Sequence, residues 1–443
     1  MTASNSRAAR AIVLVCLVVG ALFFAKAFYR GLSFSRGDFY NTVPGDYARR
    51  WNPALWNSPD VQPALEYNRG EYLYGPTQYL TLFPIVFLDS YASIASALLV
   101  VYALVLLAAW YALWRLLRKD EPQHLILQGV VFAVVFAFLP LAQTLIQREF
   151  EAVAFLLLIV ACLAFALGRD AVSGTALAAL TWFKYWPIVL LAALVFHRRL
   201  KGLGAFVVAS AVLLGTAHVA FGLDHFRIGQ TMGIVQGLLR PLGSGEKLYA
   251  VIDRGAQKSD FCRQWIWGRG TEADIRWALC GLEDRRPALS AKAIFFALVV
   301  VTGALFAWGA SLLERRGFDS ALGKWAAIWE FSILTIAGVA FVHAHYYYYI
   351  VFLLPLCALL YWYATRAQPW RKTKIALWVA TYVLVNALII PLSWFSAVLK
   401  RDAMDFYLNS GLCMLGTLLL LALVLWEFTH LSAAKRPVAL AAA

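Results

Sequence analysis

The sequence predicts an all-α polytopic membrane protein with about ten spanning helices, a re-entrant helical hairpin and non-cytoplasmic loops that carry short helices. Three observations predict it. Of the 443 residues, 62% are apolar and only 14% charged, with a mean hydropathy of +0.68, whereas soluble chains are nearer half apolar and a quarter charged. Apolar runs of the length a bilayer demands, roughly 20 residues, recur along the whole chain. Finally, basic residues gather in the short segments between alternate runs, as they do in cytoplasmic loops. This composition excludes a disordered chain and a disulfide-dense secreted scaffold. It also turns the net charge of +14 from a nucleic-acid signal into a topology signal.

In order, the predicted spans are 11–28, 91–114, 125–142, 152–167, 203–221, 291–313, 325–342, 346–364, 375–395 and 411–428. The first follows Arg7 and Arg10, and Ala25-Lys26-Ala27 resembles a cleavage site. Its apolar run is long for a signal peptide, so a retained anchor is expected. The stretch 171–196 is long enough to cross once but is interrupted by Lys184 and Pro187. If it enters and returns, 18 basic residues fall in about 63 positions on one side, which is the cytoplasmic side by the positive-inside rule. If it crosses once, 12 of those, from Arg198 to Arg436, face outward. The hairpin is therefore expected, because broken helices are tolerated at membrane depth where they line protein or a watery cavity.

The predicted organisation is one integral membrane domain, 1–443. It has a first outer loop with an interfacial helix at 29–90, a re-entrant hairpin at 171–197 and a long outer loop at 222–290. Both termini are cytoplasmic. Cys16, Cys162, Cys357 and Cys413 lie in spans and read as small buried hydrophobes. Cys262 and Cys280 share the long outer loop, where an oxidising compartment permits a disulfide and two free thiols are the alternative.

There is no Walker loop, GxGxxG, GxSxG or HExxH, so a nucleotide-driven or soluble-type catalytic site has no support. The chemistry-bearing residues stand at the outer ends of spans, where charged groups are costly and functional by default. Asp38, in Arg36-Gly37-Asp38-Phe39-Tyr40, is the candidate general base: a carboxylate partly desolvated among aromatics has its proton affinity raised toward the working range. An ordinary helix-capping or solvated Asp is the plain alternative, with Asp46 and Asp60 as competitors. The same loop is dense in rings and arginines, including Tyr40, Tyr47, Arg49, Arg50, Trp51, Trp56 and Tyr74. Rings stack on sugars and Arg pairs with phosphate, although most of this set fits an interfacial belt equally well. After Tyr74-Gly75-Pro76 the short run 79–88 is predicted to lie in the outer interface.

Lys184, in Trp182-Phe183-Lys184-Tyr185-Trp186-Pro187, stands at the hairpin apex. It can neutralise a lipid phosphate or form an ion pair with Glu149 or Glu151. His343 and His345 precede Tyr346 at the start of a span and can bond to or protonate a leaving phosphate; an interfacial pair without a role is the alternative. Gln147 and Arg148, with Gln143, Glu149 and Glu151, form a further outward polar cluster. His124, His197, His218 and His430 have no comparable company in the sequence.

In this order and on these sides of the membrane, the landmarks resemble a family. They are Asp-Phe-Tyr after the first span, Tyr-Gly-Pro before a short apolar helix, a Gln-bearing turn, and Lys-x-x-Pro leading to the basic turn His197-Arg198-Arg199-Leu200-Lys201. A His-aromatic motif then opens a late span. The chain resembles glycosyltransferase family 87 (DUF2029), a branch of the GT-C membrane glycosyltransferases that includes actinobacterial mannosyltransferases using polyprenyl-phosphate-mannose.

The resemblance implies a GT-C-like fold and inverting transfer of a sugar from a polyprenyl-phosphate donor to an acceptor on the non-cytoplasmic face. The sugar would be a hexose such as mannose, or arabinofuranose, and the acceptor a glycolipid or glycan. Asp38 is then the catalytic base, and Lys184, His345, His343 and Arg148 meet the donor phosphate. Tyr40, Tyr74, Gln147 and Tyr346 contact substrate. No metal and no cofactor are expected, nor a nucleic-acid partner, and the location implied is a bacterial plasma membrane with the site facing the periplasm or exterior. Gly75 stands where the family has the first Pro of Pro-Pro. Gln147 is followed by Arg148 and Glu149 in place of neutral residues, and the segment with Trp51, Asn52, Pro53 and Trp56 is unusual; the last two leave the acceptor open. A transporter or flippase for a lipid-linked sugar is the rival reading, although no second copy of the 184–187 break accompanies it, as an internal repeat would supply.

Overall fold

The computed structural model describes residues 3–33, 77, 80–81, 91–118, 125–184, 186–221, 290–316, 323–341, 346–366, 370–386, 407 and 411–433. All of its regular structure there is helical: α1 Ala3–Ser33, α2 Tyr91–Arg118, α3 Leu125–Phe136, α4 Leu139–Gln147, α5 Glu151–Ala166, α6 Asp170–Lys184, α7 Leu191–Phe196 and α8 Leu200–Phe221 come first. There follow α9 Ala291–Arg316, α10 Gly323–Ala340, α11 Leu353–Thr365, α12 Arg371–Val385 and α13 Leu412–Ala433, with 3-10 helices at Trp186–Leu190 and Tyr346–Phe352. Among the described residues, six helices are long and apolar enough to cross a bilayer, or seven if α3 and α4 form one bent span. The predicted spans 152–167 and 325–342 fall on α5 and α10, which do not meet that measure; of 375–395, the part beyond Asn386 lies outside the described residues.

Burial divides centre from rim. Of the span Tyr348–Thr365, 83% is buried, against 11% of Ala8–Leu32 and 17% of Leu200–Val219. Apolar side chains on the rim, such as Leu14 and Val219, are exposed, as a lipid-facing surface requires. Trp325, Trp329 and Trp362 pack edge to face at one end of α10 and α11, with Arg366 over the Trp362 ring at 4.0 Å.

Two elements differ from the sequence expectation. The run 125–142, predicted as one span, breaks after Phe136, and α4 leaves at 51° to α3. Pro140 is the cause: its ring excludes the carbonyl of Phe136, four residues back, and it has no N–H to donate, but it fits the first turn of a new helix, where N–H groups lack partners anyway. The late span beginning at Tyr346 opens as a 3-10 helix before becoming α11.

The segment 170–199 returns to its starting point. Arg199 donates to the Asp170 carboxylate at 2.6 Å. One turn further into each helix, a Cβ placed on Gly174 would stand 2.0 Å from the Gly202 carbonyl oxygen, so α6 and α8 cross backbone to backbone. The far end of the segment lies elsewhere: Phe183 packs on Phe150, and Trp186 lies against Gly338, near the end of α10. The outgoing limb, α6, is about 22 Å long. The returning limb, the 3-10 helix with α7, is about 19 Å.

Candidate functional site

Asp38, Tyr40, Tyr74, His343, His345, Cys262 and Cys280 lie outside the described residues. Gln147, Arg148 and Tyr346 are described, and Lys184 is placed as the last residue of α6.

The α4–α5 turn is built tightly. α4 ends with Arg148 in the left-handed region, φ 57. Its N–H turns to Leu145, and Glu149 N–H reaches back to Thr144 at 2.8 Å, closing the helix as a Schellman turn does. For a residue with a Cβ that conformation costs roughly 1 kcal/mol, and it persists here because the side chain is anchored: the guanidinium donates to the Gly31 carbonyl at the end of α1, 2.6 Å. Arg148, Glu149 and Glu151 are all buried, at 4%, 2% and 3% exposure. Three charged residues buried side by side in a turn are costly unless paired, which marks this end of the bundle as the place to look for function.

Other pieces converge here. Phe150, inside the turn, packs edge to face on Tyr102 and on Phe183, so the end of α6, where Lys184 stands, abuts the turn. The 3-10 helix Tyr346–Phe352 packs against both α4 and α5. Tyr346 itself is buried at 1% exposure; its hydroxyl donates to Val385 at 2.8 Å and its ring meets Tyr349 and Tyr407. Three stretches widely separated in sequence, around 148, 184 and 346, thus occupy one end of the bundle.

Several buried polar groups carry no motif. Glu330, fully buried in α10, accepts from or pairs with His197 through both carboxylate oxygens, at 2.8 and 2.9 Å. His197 therefore has the partner that its sequence neighbourhood did not suggest. Glu427 of α13 is met by Lys374 at 2.6 Å and by the Trp362 indole at 2.9 Å. Asn386, closing α12, bonds into the break between α3 and α4. The available signal was in each case a lone polar residue inside an apolar run, which fixes neither partner nor role. Among the described residues no three His, Cys, Asp or Glu side chains are grouped to hold a metal ion, and the described cysteines, Cys16, Cys162, Cys357 and Cys413, are unbridged.

A helical bundle whose outer helices expose apolar side chains, several of them long and apolar enough to cross a bilayer, fits a polytopic membrane protein, and Arg148, Glu149 and Glu151 gather at its α4–α5 turn. Residues 72–231 match the model of glycosyltransferase family 87, the family the landmarks resemble, and the match indicates a membrane glycosyltransferase. It takes in Tyr74, Gln147, Arg148 and Lys184, while Asp38, His343 and His345 lie beyond it. No curated protein and no solved structure matches the chain.

Proposed function

We propose that the protein is an inverting glycosyltransferase that moves a hexose such as mannose, or arabinofuranose, from a polyprenyl-phosphate donor to a lipid- or glycan-linked acceptor on the non-cytoplasmic face of a bacterial plasma membrane. The carrying observation is that the family match covers the stretches around 148 and 184, and that these meet each other and the 346 region at one end of the bundle.

In this reading Asp38 removes the proton of an acceptor hydroxyl as its oxygen attacks the anomeric carbon. The bond from that carbon to the phosphate oxygen breaks, and the electron pair leaves with polyprenyl phosphate. Lys184, His343, His345 and Arg148 supply positive charge or hydrogen bonds to the departing phosphate, in a partly desolvated site where such charge acts strongly. Tyr40, Tyr74, Gln147 and Tyr346 shape the sugar and acceptor pockets. Basic side chains suffice for the phosphate, so no metal is assigned.

The same reading takes ten spans with both termini cytoplasmic, and 171–197 as a re-entrant hairpin. The meeting of Asp170 with Arg199 and the short limbs between them support the hairpin; a bridge between Cys262 and Cys280 in the outer loop belongs to the same proposal. The test is Asp38→Asn in proteoliposomes supplied with labelled polyprenyl-phosphate sugar. Transfer is expected to fall about 10²-fold or more, the contribution of a general base, with donor binding retained. Near-normal turnover would remove Asp38 from the mechanism, and wild-type protein that carries labelled donor across the bilayer without releasing polyprenyl phosphate would favour a transporter.

A further inference from the structure

The bend between α3 and α4 leaves the Phe136 carbonyl without the N–H that Pro140 lacks, and three further backbone groups also lose their helical partners. In an unbroken helix the Val134 carbonyl would accept from Phe138, but that N–H turns to Val135. The carbonyl of Ala137 and the N–H of Leu139 fall on either side of the break, and Phe138, the residue capping α4, offers no side-chain bond. All three groups are answered from α12. The Tyr382 hydroxyl donates to the Val134 carbonyl at 2.9 Å. The Asn386 amide nitrogen donates to the Ala137 carbonyl at 3.2 Å, and its oxygen accepts from Leu139 N–H at 2.5 Å.

Tyr382 and Asn386 are four residues apart and so share one face of α12. Both are buried. Freed backbone groups at membrane depth must find partners inside the protein, and here two side chains supply the Val134, Ala137 and Leu139 groups. The same turn of α12 also holds the other flank of the site, because Val385 accepts from the Tyr346 hydroxyl and Leu384 from that of Tyr407. One helix end thus sets both where α4 begins, with Gln147 and Arg148 at its far end, and where the 3-10 helix Tyr346–Phe352 begins.

We propose that Tyr382 and Asn386 are positioning residues for the donor-phosphate site: by splinting the break they aim α4, and with it Gln147 and Arg148, toward the Tyr346 segment. The functional half of this inference rests on the donor assigned above. The splint itself does not.

The experiment uses full-length protein in nanodiscs and Asn386→Leu, which approximates the side-chain volume and removes both amide bonds. Hydrogen exchange is followed in peptides covering 139–151 and in α13, and affinity is measured for undecaprenyl phosphate. Exchange is expected to rise at 139–151 and not in α13, and binding to weaken about tenfold, as the loss of two buried bonds implies. Tyr382→Phe, which removes one bond at nearly constant volume, and Asn386→Asp, which keeps an acceptor for Leu139, are measured alongside and should give smaller changes in the same peptides; they carry the test if the Leu variant does not fold. Unchanged exchange at 139–151 overturns the splint. Raised exchange with unchanged affinity overturns the positioning role. If the wild type itself does not bind undecaprenyl phosphate, the donor assignment falls, and the exchange data alone decide whether the splint stands.

Discussion

Glu330 and His197 pose a question of single-residue energetics. Both side chains are almost wholly buried, and a carboxylate taken out of water is tolerated only with close partners. His197→Ala removes the imidazole and leaves the carboxylate behind, so it is expected to destabilise by about 3 kcal/mol or more. Glu330→Gln leaves an amide in place that still bonds to the ring, and its expected cost is near 1 kcal/mol. Melting temperatures of the purified variants in one detergent should therefore fall in the order wild type, Glu330→Gln, His197→Ala. An equal loss for both would show that the pair's packing against Phe165, not its charge, holds the contact. This pair also explains why buried polar partners are hard to read from sequence. Asp38, Lys184 and Arg148 attract notice because each stands in a distinctive local string, whereas His197 and Glu330 are 133 positions apart and only folding brings them together.

At the scale of elements, the crossing of α6 and α8 depends on two glycines. A Cβ on Gly174 would meet the Gly202 carbonyl at 2.0 Å, and since the obstacle is backbone, no rotamer change relieves it; one of the helices must move. Gly303, also inside a helix, has nothing within 4 Å of its added Cβ. Gly303→Ala should accordingly be neutral or stabilising by about 0.5–1 kcal/mol through helix propensity, while Gly174→Ala should lower the melting temperature and the yield of folded protein. Equal behaviour of the two alanines would refute the close crossing. Most helices were legible from apolar run length, because that signal depends on the bilayer and not on neighbours. The break after Phe136 is not legible in the sequence, although Pro140 stands in the run. A proline inside an apolar run is compatible with a kink or with two helices, and the choice depends on whether something distant supplies the missing bonds. Here Tyr382 and Asn386 do, almost 250 residues away in the chain.

For the whole molecule, topology is the property on which the functional reading turns, since it decides whether Lys184 and Arg148 share a side with Asp38. Charge bias argues that 171–197 enters and returns. The contact between Arg199 and Asp170 at 2.6 Å argues the same by geometry, because a hydrocarbon layer about 30 Å thick cannot separate two atoms in contact. Neither limb of the segment, about 22 and 19 Å long, would cross that layer alone. Single cysteines at Arg169 and Lys201, both exposed at the base of the proposed hairpin, are thus expected to react with a membrane-impermeant maleimide from the same face, the cytoplasmic one in this reading. A cysteine in 222–290, the outer loop of the proposal, should react from the opposite face. Labelling of positions 169 and 201 from opposite faces would mean a single crossing, invert every later span, and place His343 and His345 across the membrane from Asp38, which no shared active site could survive.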